Sequence, residues 1–154
     1  MEWQTHMLSG VLAGYTITGG DWKGAVIGGI AGIVPDLDEP KSRFGKLFFF
    51  ISIPLGMLFE HRTFTHSLLF VLLACGISYP FFELNVTLAI LAGLLAHILG
   101  DMLTGKVKLF YPSKKGIGIP IPISLFVLID RLTRYALLIL FIWLVIKNVM
   151  INFM

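Results

Sequence analysis

Six apolar stretches, at 7–19, 24–34, 47–59, 67–82, 86–103 and 135–154, alternate with short polar joints, and this alternation points the chain toward helices in contact with lipid. Charged residues make up 14% of the 154 residues and apolar ones 56%, against about 25% charged in an average soluble domain. A single soluble core of this size does not hide so much apolar surface. The length predicts one domain, residues 1–154. Cys75 is alone inside an apolar run, so neither a disulfide framework nor a thiolate metal site is available, and it reads as a small buried hydrophobe. Residues 1–7 carry Glu2 and His6 but no basic region, and no small-residue cleavage site follows, so the first segment is expected to be retained.

Several stretches fall short of the about 20 residues that cross a bilayer as a helix. The expected fold is all-α: a polytopic membrane helical bundle with about five crossing helices plus one re-entrant or interfacial segment. Gly10, Gly14, Gly28, Gly29 and Gly32 suit close helix packing in lipid. Gly19-Gly20-Asp21-Trp22 reads as a tight turn between the first two helices, and 80–85 as the turn between a later pair. If each pair crosses and returns, His6 emerges beside Asp36, and His66 beside Asp101. For the two sets to meet, 47–59 must not cross, which fits its length and its internal Ser52 and Pro54. The glycines and prolines between Leu103 and Pro122 predict a long loop packed over one face, with Asp130, Arg131 and Arg134 marking the start of the last helix.

Charge supplies an independent check. Ten of the twelve basic residues lie on the side of His6, Asp36, His66 and Asp101, leaving Lys23 and Lys147 elsewhere. The positive-inside rule makes that face cytoplasmic, in a multi-pass protein of the cell membrane. Trp3, Trp22 and Trp143 fit interface anchors, and Phe48-Phe49-Phe50 fits a lipid-facing or packed cluster.

All four histidines, His6, His61, His66 and His97, stand within a few residues of carboxylates at or near the ends of apolar stretches. Ionisable groups are costly near lipid, and histidine with carboxylate is the donor set of a hydrolytic divalent metal. His97 and Asp101 are four apart on a helix and point the same way, with Gly100 leaving room for a neighbour. In isolation such a pair is as often a hydrogen-bonded structural group. In Glu60-His61-Arg62-Thr63-Phe64-Thr65-His66-Ser67, Thr65 is a candidate N-cap and His66, at the helix start, is better placed as a ligand than His61. His61 would then serve as acid, base or substrate contact, and Arg62 would bind a phosphate or hold a carboxylate bidentately. Pro35-Asp36-Leu37-Asp38-Glu39-Pro40 offers a stiff acidic loop, with Asp36 nearest the membrane as the ligand choice. His6 alone means little.

The ordered set, an amino-terminal His before a glycine-rich helix pair, P-D-L-D at 35–38, H-R-x-x-T-H-S at 61–67 and H-I-L-G-D at 97–101, resembles the membrane-bound metal-dependent hydrolases of the LexA-regulated, YdjM-like type. The resemblance covers almost the whole chain. That family is distantly similar to the zinc-dependent phospholipase C group, all-helical enzymes whose clustered metals hydrolyse phosphate esters. The resemblance implies metal ligation by His6, Asp36, His66, His97 and Asp101, with His61 also a candidate. The phospholipase C group carries further histidines and an H-x-x-x-E helix, whereas this chain has no histidine beyond His97, so one or two ions are expected rather than three.

The chemistry expected is hydrolysis by metal-activated water. Asp36 or Asp38 would orient or deprotonate the water, while Arg62, with Lys106 or Lys108, would stabilise negative charge. Mixed nitrogen and oxygen donors suit zinc, with manganese or iron as alternatives. Membrane lipid or another amphiphilic phosphate ester is the natural substrate at a lipid interface. Two other classes compete: a metal carrier or sensor, whose ligands should line a route through the membrane rather than sit at one face, and a non-catalytic structural or partner-binding protein stapled by its metal. No groove-reading or stacking motif points to nucleic acid.

Overall fold

A computed structural model of the chain describes residues 1–153. Its described residues form α1 (Trp3–Ile17), α2 (Trp22–Ala31), α3 (Arg43–Leu47), α4 (Phe49–Leu58), α5 (Leu68–Ser78), α6 (Leu84–Thr104) and α7 (Ile123–Phe153), with 3-10 turns at Val34–Asp38 and Phe64–His66. No strand is present among them, only an isolated antiparallel bridge between Val107 and Ile117.

Local chemistry sets the breaks. Gly19 and Gly20 both take positive φ, 71° and 94°, which turns the chain sharply, and the Asp21 side chain then caps α2 by accepting from the Lys23 amide at 2.9 Å. Ser67 caps α5 through the Phe70 amide at 3.2 Å. Thr65, the expected cap, is used elsewhere. Pro120 and Pro122 precede α7, and the Pro122 carbonyl accepts from the amides of Leu125 and Phe126, opening the helix there. The last helix therefore begins well before the 135–154 stretch, and Asp130, Arg131 and Arg134 lie inside it rather than at its start.

Glycine contacts hold the centre together. A Cβ on Gly28 would strike the Gly10 carbonyl and the Gly14 backbone, and one on Gly93 would strike the Gly28 carbonyl, so α1, α2 and α6 meet backbone to backbone. Ala31, Val71, Leu94, Ile98 and Val107 form the buried apolar core beside this contact. The 105–122 segment folds back against the loop at Arg62 and the end of α6, through hydrogen bonds from Lys108 N to Arg62 O and from Ile119 N to Met102 O, in keeping with the expected packed loop.

Five crossings are not what these lengths give. Only α6 and α7 are long and apolar enough to span a membrane among the described residues. α1, α2 and α5, expected to cross, rise about 15–23 Å, short of the about 30 Å hydrocarbon core. Polar residues and turns end them early: Thr18 and Gly19 after α1, Gly32 after α2, Tyr79-Pro80 after α5. α4, about 15 Å long, is too short to cross, as expected of that stretch.

α7 lies along α1 and is fastened near both ends. Asp130, 1% exposed, accepts from the Glu2 amide at 2.9 Å and from Arg134 at 2.5 Å, and Arg134 also donates to Thr5 Oγ1 at 3.0 Å. At the other end Asn148 donates to the Tyr15 hydroxyl at 2.9 Å.

Two outcomes are expected from thermal unfolding in detergent. Gly28→Ala should cost about 1–3 kcal/mol through the helix collision, while Gly76→Ala, whose Cβ meets nothing within 4 Å, should be neutral or mildly stabilising. An unchanged Gly28→Ala would mean the three helices stand farther apart. Asp130→Asn should cost about 1–3 kcal/mol by weakening a buried charged hydrogen bond, and equal stability would remove this clamp from the account.

Candidate metal centre

Helix α1 begins at Trp3 because the Glu2 carbonyl already accepts from the amides of Thr5 and His6, at 3.0 and 3.2 Å. His6 accordingly sits within the helix, not before it as the apolar boundary implied. The ring is fully buried and stacks on His97, centroids 3.8 Å apart. Gly100 makes the room, since a Cβ there would come within 3.3 Å of His6 Cε1.

His97 projects from α6 and donates from Nδ1 to the Gly32 carbonyl at 2.7 Å. A carbonyl only accepts, so the proton is on Nδ1 and the Nε2 lone pair faces inward. That nitrogen lies 3.0 Å from His66 Nε2, 3.8 Å from Asp36 Oδ1 and 4.0 Å from Asp101 Oδ2.

Asp38 and Thr65 orient the other two imidazoles. Asp38 is 1% exposed, and its Oδ1 accepts from His61 Nδ1 at 2.7 Å while its Oδ2 accepts from Thr65 Oγ1 at 2.5 Å. Having given its proton to Asp38, the Thr65 hydroxyl is left to accept from His66 Nδ1 at 2.9 Å. Both histidines thereby present Nε2 toward the cluster.

Asp101, also 1% exposed, gathers positive charge. Arg62 donates to it from Nε and Nη2, each at 3.0 Å, the Met1 amino group lies at 2.5 Å, and the Nε2 atoms of His6 and His66 lie at 3.2 and 3.3 Å. Of the two roles open to Arg62, this is the bidentate carboxylate grip. Arg62 takes φ 64°, an uncommon backbone state for a side chain of its size. Gly105 lacks a Cβ where the guanidinium passes.

The electrostatics follow from this packing. Burial pushes the Asp36 carboxyl above the ordinary range; His6 opposes the shift and Asp101 adds to it. Burial acts the same way on Asp38, but the hydrogen bond from His61 and the nearby His66 ring outweigh it and hold that carboxyl well below the ordinary range. For His66 burial favours the neutral ring, yet Asp101 and Asp38 more than offset it and raise its pKa to about 9.

His6 is the exception to this satisfaction. Both of its ring nitrogens are buried without a hydrogen-bond partner, since Nε2, though near Asp101, is not aligned for one. A buried imidazole left so loses about 1–3 kcal/mol unless something takes its lone pair. Two sets of three side chains, His6, His97, Asp101 and Asp36, His61, His66, each offer ligand atoms within 4.8 Å of one another. The nitrogen and oxygen donors, the inward lone pair of His97 and the orphaned His6 fit a divalent ion.

The structure thus draws His6, Asp36, Asp38, His61, Arg62, His66, His97 and Asp101 into one cluster. Lys108 instead pairs with exposed Glu60 at 2.8 Å, and Lys106 packs by Gly116. Sequence reasoning missed the Thr65 bridge, the Gly32 carbonyl and the Met1 amino group. Only Thr65, inside the histidine motif, left a local trace, and there it competed with Ser67 for the cap.

The family described as YdjM inner membrane protein matches residues 1–154. The chain is similar to the inner membrane protein YdjM of Escherichia coli K12, 37% identical over 132 residues, which covers 80% of this chain and 66% of that one. The YdjM protein of Shigella flexneri matches to the same extent. The uncharacterized protein YvsG of Bacillus subtilis 168 is 29% identical over 127 residues, 79% of each chain. The chain therefore spans just under two thirds of the two YdjM proteins' length. No solved structure matches it.

Proposed function

The chain belongs to the YdjM family of inner membrane proteins, and from that premise we propose that it is a metal-dependent hydrolase of the cytoplasmic membrane, acting on a phosphate ester or phospholipid-like substrate. One observation carries the proposal: the fully buried His6 ring, with neither nitrogen hydrogen-bonded, stands among converging imidazoles and carboxylates.

His6, Asp36, His66, His97 and Asp101 would hold one or two ions, zinc first on this donor set, manganese or iron next. A bound divalent ion supplies Lewis acidity, which lowers the pKa of water towards about 7 and polarises a phosphoryl oxygen. The chain's own groups do the rest. His61, with Nδ1 fixed by Asp38 and its side chain 33% exposed, is placed to exchange a proton with substrate or solvent through Nε2. Arg62, 25% exposed, offers its outer edge to a phosphate oxygen. Asp36, 14% exposed, is the proposed ligand that reaches nearest to solvent, whereas Asp38 has both oxygens engaged and orients its neighbours.

In the membrane the protein is multi-pass, with α6 and α7 as full spans and the cluster at the cytoplasmic end. Charge supports this orientation: Arg62 and Arg134 lie by the cluster and the start of α1, while Lys147 lies by the Gly19–Gly20 turn. A second reading, a non-catalytic metal-binding structural or partner-binding membrane protein, draws support from Asp101, whose charge Arg62 and the Met1 amino group already balance.

Elemental analysis of detergent-purified protein tests the proposal. Stoichiometric zinc, manganese or iron is expected in the wild type and absent from His97→Ala and Asp101→Ala, with phosphate-ester hydrolysis lost alongside. A wild type that stays metal-free after reloading would sink the hydrolase, and a metal-loaded protein inert toward such esters would favour the second reading. Asp38→Asn keeps every proposed ligand but should weaken metal affinity about 10–100-fold by releasing His61 and Thr65, readable by competition with a chelator.

A further inference from the structure

An apolar groove of about 550 Å³ lies between α2, α5 and α6, with no polar surface in its lining. Its volume is that of a small-molecule site. It reaches the surface, for Ile30 and Phe82 on its rim are exposed.

The three walls share one design. On α6, Val86, Ile90 and Leu94 line the groove, and the same helical face continues at spacings of three and four to His97 and Asp101. On α5, Ala74 and Phe70 line it, and four residues back stands His66. On the α2 side the lining passes from Ile27 to Val34, on the 3-10 turn that carries Asp36. Each wall is hydrocarbon along its length and ends in a residue of the cluster at the same end.

Apolar walls that all run toward a metal-ligating cluster, where Arg62 and a bound divalent ion would meet an anion, are complementary to one kind of molecule. We propose that the groove holds a single hydrocarbon chain of a membrane amphiphile and presents its phosphate-bearing head to the cluster. The inference rests on the hydrolase reading for what happens to the head, but not for the seating of the chain. The short α2 and α5, which leave the groove open toward lipid, give the chain its way in. Val86 to Leu94 alone supplies about 12 Å of wall.

The test uses hexadecylphosphonate, a single-chain head group without a hydrolysable ester, added to the detergent-purified full chain, with retention read by native mass spectrometry. One molecule per chain should be retained, and the octyl analogue more weakly. Ala74→Trp and Ile90→Trp, which fill the groove from two walls, should each lower retention about tenfold. Leu72→Trp, at a residue of α5 that is 70% exposed and outside the groove, should not. Metal content should be unchanged in all three, since none touches the cluster. Equal retention in both groove variants, an equal loss in Leu72→Trp, or indifference to chain length would overturn the proposal in favour of ordinary annular lipid. A dimer that dissociates in the groove variants without any phosphonate would overturn it in favour of a second copy of the chain. The chain-length series needs no substitution, so a variant that fails to fold leaves the test intact. Retention by a wild type that holds no metal would sink the hydrolase while the groove stands, and metal without retention would overturn the groove alone.

Discussion

Backbone meets backbone at Gly28, where α1, α2 and α6 come together, and the rest of the molecule is arranged around that contact. Lipid gives helices no hydrophobic reason to associate, so close approach and the dispersion it brings must do the work. Gly10, Gly14, Gly28 and Gly93 allow it. The same approach brings the Gly32 carbonyl within reach of His97 and lays His6 over Gly100. A side chain in the glycine stripe would therefore disturb packing and cluster together.

Two carboxylates buried at one end of such a bundle, Asp38 and Asp101, create a problem that the fold answers with cations. Taking charges out of water costs several kcal/mol each unless they are paired and hydrogen-bonded. Asp101 has Arg62 and the Met1 amino group; Asp38 has His61, Thr65 and, more distantly, His66. The raised His66 is part of the same answer. What remains unanswered is His6, and a cation shared with its neighbours would satisfy it.

The short helices have a consequence beyond economy of length. α2 and α5 stop where polar residues and turns interrupt them, so they cover only part of α6 and leave an apolar channel along it. α7 takes no part in that channel. It is clamped to α1 through Asp130 and Arg134, close to His6, so the less buried of the two long apolar helices also steadies the end of α1 on which the cluster depends.

The cluster was legible in the chain because its members sit at segment ends in short motifs: four residues separate His97 from Asp101, and H-R-x-x-T-H-S keeps His61, Arg62 and His66 together. The all-helical class and the glycine packing were legible too, being set by composition and near-neighbour spacing. The helix lengths, the start of α7 and the place of His6 inside α1 were not, since hydropathy windows do not register a Glu2 carbonyl that opens a helix early or a polar clamp inside an apolar one. Roles within the cluster were less legible still. Which nitrogen of His97 carries the proton, which carboxylate Arg62 grips and whether Thr65 caps a helix or bridges Asp38 to His66 depend on partners remote in sequence. Residue types and spacings belong to the sequence alone; proton positions, ion pairs and the groove behind them were decided by the tertiary structure, because hydrogen bonds and burial depend on distances that only the packed helices set.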